Sequence, residues 1–176
     1  YKRGLSSWNP QKNTFRHYNI LTDSMKRQVS VMDIVPEKDS ELWLGTSSAG
    51  LIRFNTHLNT ITGRKAFQWN SRIYNNITCL LRYNDSTLLA GTDHGLWIYN
   101  TLRDTYRPLL TNNKLFDQWV LSMEEDEPGK IWFTTQYGFY RYQVKENRLE
   151  TFIQGDDIVD DHRKVRRRIV KLRNGN

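Results

Sequence analysis

The sequence has almost no cysteine and no long hydrophobic run. Cys79 is the only cysteine among 176 residues, so an internal disulfide is excluded. No stretch approaches the roughly 18 consecutive apolar residues of a membrane-spanning helix, and the first residues lack a signal-peptide pattern. We therefore expect a domain that folds without disulfides and makes no direct contact with a membrane.

Motifs that carry catalytic chemistry are missing as well. The sequence contains no HExxH or Cys/His zinc spacing, no G-x-S-x-G, and no glycine-rich nucleotide-binding motif. Acidic groups such as 124–127 lie in or beside expected turns, and Cys79 lies in an apolar run that is typical of a core. We expect no catalytic residue, no metal and no cofactor, and hence no enzyme activity in this chain.

Basic charge is concentrated in one segment. The net charge is +7, and residues 163–173 contain seven basic and no acidic residues, so the rest of the chain is neutral overall. Because nucleic-acid binding needs a basic face rather than one basic segment, this distribution argues against a nucleic-acid partner. The segment is typical of a solvated loop that pairs with nearby acids; contact with acidic sugars is the alternative.

Aromatic residues and a repeat are what the sequence does have. Phe, Trp and Tyr make up 12% of the chain, which is too much for a disordered segment. A G-[LF] pair followed by an aromatic-rich run occurs four times, with glycines 46, 45 and 43 residues apart: Gly4, Gly50, Gly95 and Gly138. A period of 40–50 residues with several strands per unit predicts β-propeller blades.

Each repeat predicts four short strands. The first strand carries V-x-x-I or a close variant, the second is an apolar run such as "LWLGT", and the third begins at the glycine. A turn of the form N-x-x-x-[ND]-[TR] leads to the fourth strand, and its Asn or Asp can adopt a left-handed conformation. We predict an all-β partial propeller of four-stranded antiparallel blades, three whole and two incomplete: 1–20 (partial), 29–63, 74–108, 119–153 and 165–176 (partial).

The repeated glycines and aromatic residues have an architectural interpretation. Glycine adopts positive φ at little cost and leaves room for a neighbouring blade, and a sheet packed on both faces is apolar on both faces. We assign blade-structure roles to eight residues of the repeat, and expect Tyr142 to join their tryptophans in the blade cores: Trp43, Gly45, Gly50, Gly91, Gly95, Trp97, Trp132 and Gly138.

Both chain ends fall within a predicted blade. Residue 1 precedes a third strand, and the end at 169–176 matches a first strand and its turn. We expect residues 1–176 to be a fragment of one propeller whose terminal blades expose apolar faces. The rest of the propeller or another copy of the chain is the expected partner for those faces.

The repeats resemble a known family. The segments "ELWLGTSSAGLIRFN" at 41–55, "TLLAGTDHGLWIYN" at 87–100 and "KIWFTTQYGFYRYQ" at 130–143, the last with Thr134 in place of a glycine, are similar to the two-component regulator propeller repeat. That repeat occurs in the sensor ectodomains of Bacteroides-type hybrid two-component histidine kinases. The resemblance implies a periplasmic or cell-surface location within a membrane-anchored receptor, whose kinase motifs lie outside this chain, and a glycan ligand.

Binding residues are expected where the second-to-third and fourth-to-first strand connections share one rim. Aromatic faces suit the C–H surface of a sugar ring, and planar polar groups suit its hydroxyls, while arginine suits uronate or sulfate. The candidates for binding an oligosaccharide, acidic or neutral, are Arg64, Trp69, Arg72, Asp93, His94, Gln136 and Tyr137.

The functional expectation is a sensor propeller that detects a carbohydrate, or relays its detection, to control polysaccharide-utilisation genes. Two alternatives remain open on the sequence: a protein–protein scaffold propeller without a small ligand, and a propeller-type lyase or glycosidase.

Overall fold

The computed structural model describes residues 4–18, 20–22, 27–152 and 169, and within them it contains β-strands and turns but no helix. The expected partial blade at 165–176 and the basic segment at 163–173 lie outside the described residues, except Ile169. The chain divides into two compact units between Ile77 and Thr78.

The first unit contains one four-stranded sheet and three hairpins. The antiparallel hairpin β1–β2 comprises Leu5–Asn9 and Thr14–Tyr18, and the shorter hairpin β3–β4 comprises Leu21–Thr22 and Arg27–Gln28. The strands of the sheet run in sequence order and are β5 (Val31–Pro36), β6 (Glu41–Thr46), β7 (Leu51–Asn55) and β8 (Thr60–Lys65). The hairpin β9–β10 follows, with strands Phe67–Trp69 and Arg72–Tyr74.

The second unit repeats this plan and holds two four-stranded sheets. One contains β11 (Ile77–Asn84), β12 (Thr87–Thr92), β13 (Gly95–Asn100) and β14 (Thr105–Pro108). The short hairpin β15–β16, of Leu110–Thr111 and Lys114–Leu115, leads to the other. That last sheet contains β17 (Val120–Glu127), β18 (Lys130–Thr135), β19 (Gly138–Gln143) and β20 (Arg148–Phe152).

The turn between the third and fourth strands is the same in each repeat. Its fifth residue has positive φ in all four copies: Asn13, Asn59, Asp104 and Asn147, with φ of 48°, 55°, 54° and 49°. Asn and Asp tolerate this left-handed region better than other non-glycine residues. The first residue of the turn caps it, since Asn100 Oδ1 accepts from the backbone N–H of Arg103 at 2.8 Å and Asn55 Oδ1 from that of Leu58 at 2.8 Å. The turn chemistry expected from the repeat is confirmed.

In the second unit the two four-stranded sheets pack face to face. Buried residues from both sheets and from the link between them form the interface: Cys79, Leu89, Leu96, Leu109, Phe116, Val120, Met123, Ile131, Phe133, Tyr140 and Tyr142. Phe116 lies at its centre, with its ring edge-on to Phe133 at 5.6 Å and to Tyr140 at 5.1 Å. This interface explains why alternate residues of β18 and β19 are large and apolar.

Gly91 marks the closest approach of these two sheets. A Cβ at Gly91 would lie 2.5 Å from Cys79 Sγ and 2.8 Å from Val120 Cγ1. The hydroxyl of Thr78 on β11 also donates to the carbonyl of Val120 on β17. The first strand of the last sheet, β17, therefore lies against β12 and is hydrogen-bonded to β11, and glycine on β12 leaves room for it.

In the first unit, the hairpin β1–β2 packs on the sheet β5–β8 in a similar way. The ring of Tyr18 meets that of Phe54 edge-on at 5.5 Å, and Ile20, Leu44 and Ile52 are fully buried beside them. The chain reuses one packing scheme in both units, built from residues at equivalent positions of the repeat.

The glycines that begin the third strands approach a backbone carbonyl. A Cβ at Gly50 would lie 2.3 Å from the carbonyl oxygen of Lys65, and one at Gly95 would lie 2.3 Å from that of Phe116. Both residues have positive φ, 72° and 103°. The repeated glycine therefore leaves room for the end of the fourth strand at Gly50 and for the link before β17 at Gly95.

Three of the aromatic residues expected in the sheet cores are buried, and one is not. Trp43, Trp97 and Tyr142 are buried, whereas Trp132 is only half-buried. Since residues alternate along a strand, Trp132 lies on the face of β18 opposite Ile131 and Phe133. On that face its ring packs against Phe152 at 4.9 Å and beneath the guanidinium of Arg141 at 5.3 Å.

Candidate functional site

Three turns of the second unit come together at one edge of its two sheets. They are the β12–β13 turn (92–95), the segment before β17 (116–119) and the β18–β19 turn (135–138), which we call the second-unit rim. Each turn follows directly from a strand, so the position of its side chains is set by the sheets.

Gln118 connects the other two turns of the rim. Its backbone carbonyl accepts a hydrogen bond from Gly95 N at 2.9 Å, and its side-chain Oε1 accepts one from Thr135 Oγ1 at 2.9 Å. One residue therefore links the turns of two adjacent sheets. The first unit has an equivalent backbone bond, from Gly50 N to the carbonyl of Asn75 at 2.8 Å.

His94 and Asp117 form a second connection across the rim. The His94 Nδ1 and Asp117 Oδ1 atoms are 2.6 Å apart, which joins the β12–β13 turn to the segment before β17. Both side chains are partly exposed, so the pair contributes little to stability. Its effect is to fix the orientation of the imidazole ring and the carboxylate at the surface.

Threonine at the end of each second strand shapes the rim turns. Thr92 Oγ1 donates to the carbonyl of Gly95 at 3.0 Å and accepts from His94 N at 3.0 Å. Thr135 Oγ1 accepts from Tyr137 N at 3.0 Å while it donates to Gln118. These side-chain to backbone bonds hold short turns in one conformation, which is the condition for a preorganised binding surface.

Two aromatic side chains of the rim are open to solvent. Trp119 is 40% exposed and Tyr137 is 62% exposed. The rim turns also carry the half-buried Asp93 and the exposed Gln136. Exposed rings next to carboxylate and amide groups are suited to stacking on a sugar ring and to accepting its hydroxyl hydrogens. Among the residues that the structure describes, no cluster of His, Cys, Asp and Glu could hold a metal ion.

The remaining predicted site residues lie in the first unit. Trp69 and Arg72 are directly opposite each other in the hairpin β9–β10, so their side chains share a face. The Arg72 guanidinium also lies over the ring of Tyr74, 5.4 Å from its centre. Arg64 lies within β8, opposite Ile52, rather than in the connection after it.

Four of the predicted binding residues lie on this rim: Asp93, His94, Gln136 and Tyr137. Asp117, Gln118 and Trp119, which complete the rim, were not predicted. These three directly precede Val120, the first residue of a predicted first strand. The signal that could have found them is their position in the link that leads to a first strand.

The first unit carries a separate groove along the hairpin β1–β2. Its volume is about 580 Å³. The lining is mostly polar, and its two cations are Lys12 and Arg16. The lining residues are Ser7, Trp8, Asn9, Pro10, Gln11, Lys12, Thr14, Arg16 and Tyr18. On the hairpin, Trp8 and Phe15 are stacked 6.4 Å apart, and both are exposed.

Comparison with known proteins finds solved structures of similar fold. No known protein family and no curated protein sequence matches the chain. The extracellular domain of a proposed one-component system from B. thetaiotaomicron is similar in structure, with a TM-score of 0.74 and 17% identity over 99% of this chain and 23% of that one.

Two further structures are similar over most of the chain. The extracellular domain of a proposed hybrid two-component system from B. thetaiotaomicron matches with a TM-score of 0.66 and 17% identity, over 85% of this chain and 20% of that one. The WD40 repeats of RRP9 match with a TM-score of 0.56 and 16% identity, over 74% of this chain and 41% of that one. The chain thus spans about a fifth of the length of the bacterial domains that it resembles.

The expected architecture is confirmed: this is an all-β chain whose four-stranded antiparallel sheets are the blades of a partial β-propeller. Its fold is similar to that of extracellular domains of proposed one-component and hybrid two-component systems of B. thetaiotaomicron. Within the described parts of the chain, no helix is long and apolar enough to span a bilayer.

Proposed function

We propose that the chain is part of the extracytoplasmic sensor propeller of a hybrid two-component system. It detects a carbohydrate, or relays its detection, and so controls genes for polysaccharide utilisation. The observation that carries this proposal is the similarity of fold to extracellular domains of such systems, which extends over 85% of the chain.

The chemistry of the second-unit rim supports a carbohydrate ligand. Trp119 and Tyr137 offer exposed rings, and Asp93, Asp117 and Gln136 offer oxygen acceptors. Carbohydrate sites combine these two elements, because one face of a sugar ring is apolar while its edge is lined with hydroxyls. The rim turns are held by their own hydrogen bonds, so little conformational entropy is lost on binding.

Signal transmission follows from the connections of the rim. A ligand that touches the β12–β13 and β18–β19 turns contacts two adjacent blades at once, and Gln118 already bonds to both turns. Binding would therefore favour one arrangement of these blades over another. In the proposed receptor this change passes through a membrane segment to a histidine kinase, both in other parts of a longer protein, and the propeller lies on the periplasmic or cell-surface side.

The test is a carbohydrate panel on the whole protein. We expect at least one oligosaccharide class to raise the melting temperature or change the oligomeric state, and the same class to activate a transcriptional reporter in cells that carry the receptor. Removal of the receptor gene should abolish that response. If no carbohydrate changes melting temperature, assembly or reporter activity, the sensing function is wrong.

A protein–protein scaffold is the second candidate. The observation that favours it is the pair of stacked, exposed rings of Trp8 and Phe15 on the hairpin β1–β2. Large exposed aromatic side chains are enriched at protein interfaces. Under this alternative, Trp8→Ala would abolish partner binding, and no carbohydrate would change the melting temperature.

A further inference from the structure

The second-unit rim carries two carboxylates, and its three turns contain no Lys or Arg. Its three turns contain the carboxylates of Asp93 and Asp117 and the imidazole of His94, and no Lys or Arg occurs at 92–95, 116–119 or 135–138. The nearest cation in sequence is Lys114, which lies on the hairpin β15–β16 opposite Thr111. By contrast, the predicted site residues of the first unit include Arg64 and Arg72.

Asp117 is the carboxylate whose position is best defined. Its Oδ1 is 2.6 Å from His94 Nδ1, and the side chain is 56% exposed, so most of the carboxylate remains accessible. A carboxylate has about four lone-pair sites, and the imidazole uses one of them. The other sites can accept hydrogen bonds from neighbouring hydroxyl groups of a ligand.

Trp119 and Tyr137 are both joined to the Gln118 bridge through the backbone. Trp119 follows Gln118 in the chain, and the Tyr137 backbone N–H and the Gln118 side chain bind the same hydroxyl, that of Thr135. Two exposed aromatic side chains and an exposed carboxylate are therefore attached to one rigid element. That element has a surface on which a sugar ring can stack while its hydroxyls face acceptors.

We propose that the second-unit rim binds an uncharged saccharide and discriminates against sugars that carry carboxylate or sulfate groups. The inference rests on the proposed carbohydrate-sensing function and adds the charge class of the ligand and the surface that binds it. Hydroxyls of a neutral sugar donate charge-assisted hydrogen bonds to Asp93 and Asp117. An anionic group in the same place would meet two carboxylates and no Lys or Arg of these turns.

The experiment compares three matched pairs of oligosaccharides of equal length by calorimetric titration of the whole protein. Each pair differs only at C6: galactosides and galacturonides, glucosides and glucuronides, mannosides and mannuronides. We expect at least one neutral member to bind ten times or more tightly than its acidic counterpart. Trp119→Ala should weaken that binding at least tenfold, and Asp117→Asn about fivefold.

Two matched variants control for unspecific effects. Leu102→Ala removes a large exposed apolar side chain of the β13–β14 turn, at the end of β13 away from the rim. Asp85→Asn removes an exposed carboxylate at the other end of β12, in the turn that precedes it. Both should leave the affinity within a factor of two. A circular dichroism spectrum and a melting temperature for each variant show that it folds, and Asp117→Asn keeps the side-chain volume where a larger change could disturb the turn.

The outcomes separate this inference from the function on which it rests. Equal or tighter binding of an acidic member, or binding that Trp119→Ala and Asp117→Asn do not weaken, overturns the rim assignment while carbohydrate sensing survives. If none of the six oligosaccharides binds, and no carbohydrate of the wider panel changes melting temperature, oligomeric state or reporter activity, both proposals fail.

Discussion

Arg107 on β14 donates a hydrogen bond from Nη2 to the phenol oxygen of Tyr142 on β19, at 3.0 Å. Its Nη1 donates to Asn147 Oδ1 at 3.0 Å, and Tyr142 donates to the same oxygen at 2.8 Å. One arginine of the first blade of the second unit therefore ties the buried phenol and the β19–β20 turn of the next blade into one network.

Loss of this arginine should loosen the contact between the two blades. Arg107→Ala removes both bonds, and we expect it to lower the free energy of unfolding by about 1 to 2 kcal/mol, because hydrogen bonds with a charged donor contribute more than neutral ones. Arg103→Ala, in the exposed β13–β14 turn, is the matched control and should change stability by less than about 0.5 kcal/mol. Urea denaturation measures both, and equal effects would contradict the network.

Gly95 should not tolerate a side chain. An alanine Cβ would lie 2.3 Å from the Phe116 carbonyl oxygen, and φ is 103°. We expect Gly95→Ala to cost on the order of 2 to 3 kcal/mol through backbone strain. Gly63→Ala is the comparison, because its Cβ would meet Arg53 Cβ at 3.4 Å. That change should stay within about 1 kcal/mol of the parent. Thermal unfolding of the two variants distinguishes them, and similar melting temperatures would refute the argument.

Gly91 and Cys79 should show coupled effects. Gly91→Ala places a methyl group against Cys79 Sγ and Val120 Cγ1, and overpacking of this kind costs about 1 to 3 kcal/mol. In a Cys79→Ala background one of the two obstructing groups is gone, so the same change should cost less. A double-mutant cycle measures the difference. Additive effects would show that the sulfur is not the obstacle.

Glu150 should titrate below its ordinary range. The side-chain hydrogen bond from Arg141 is the largest cause of a lowered pKa, and the charges of Arg141 and Arg148 lower it further. Because the folded-state pKa lies below the unfolded one, the contribution to stability is complete above the unfolded pKa. It is lost as the pH falls through the folded pKa.

An NMR titration of the Glu150 carboxyl group tests this shift. Arg141→Gln removes the main donor and should move the midpoint back towards the ordinary value. A Glu150 midpoint that Arg141→Gln leaves unchanged would show that the ion pair does not persist in solution.

The sheets and their turns could be predicted because the same residue types recur at the same positions of each repeat. The fifth turn position needs a residue that tolerates positive φ, which Asn or Asp does. The position before the third strand needs glycine because a backbone carbonyl lies too close for a side chain. Such requirements act on single residues and can be identified without knowledge of the packing.

The packing of individual side chains was harder to predict. Trp43 and Trp132 occupy matching places in "LWLGT" and "IWFTT", yet one is buried and the other is half-buried. The repeat specifies on which face of a strand a residue lies, and burial depends on what covers that face. Asp117, Gln118 and Trp119 were missed for a related reason, since a link of irregular conformation carries no hydrophobic periodicity.

The backbone N–H groups of Gly50 and Gly95 donate hydrogen bonds to main-chain carbonyl oxygens, those of Asn75 and Gln118. The side chains at those two places can therefore change without loss of the bond that anchors the strand. The sequence of these links can therefore vary while the backbone bond from each link to its third strand stays the same.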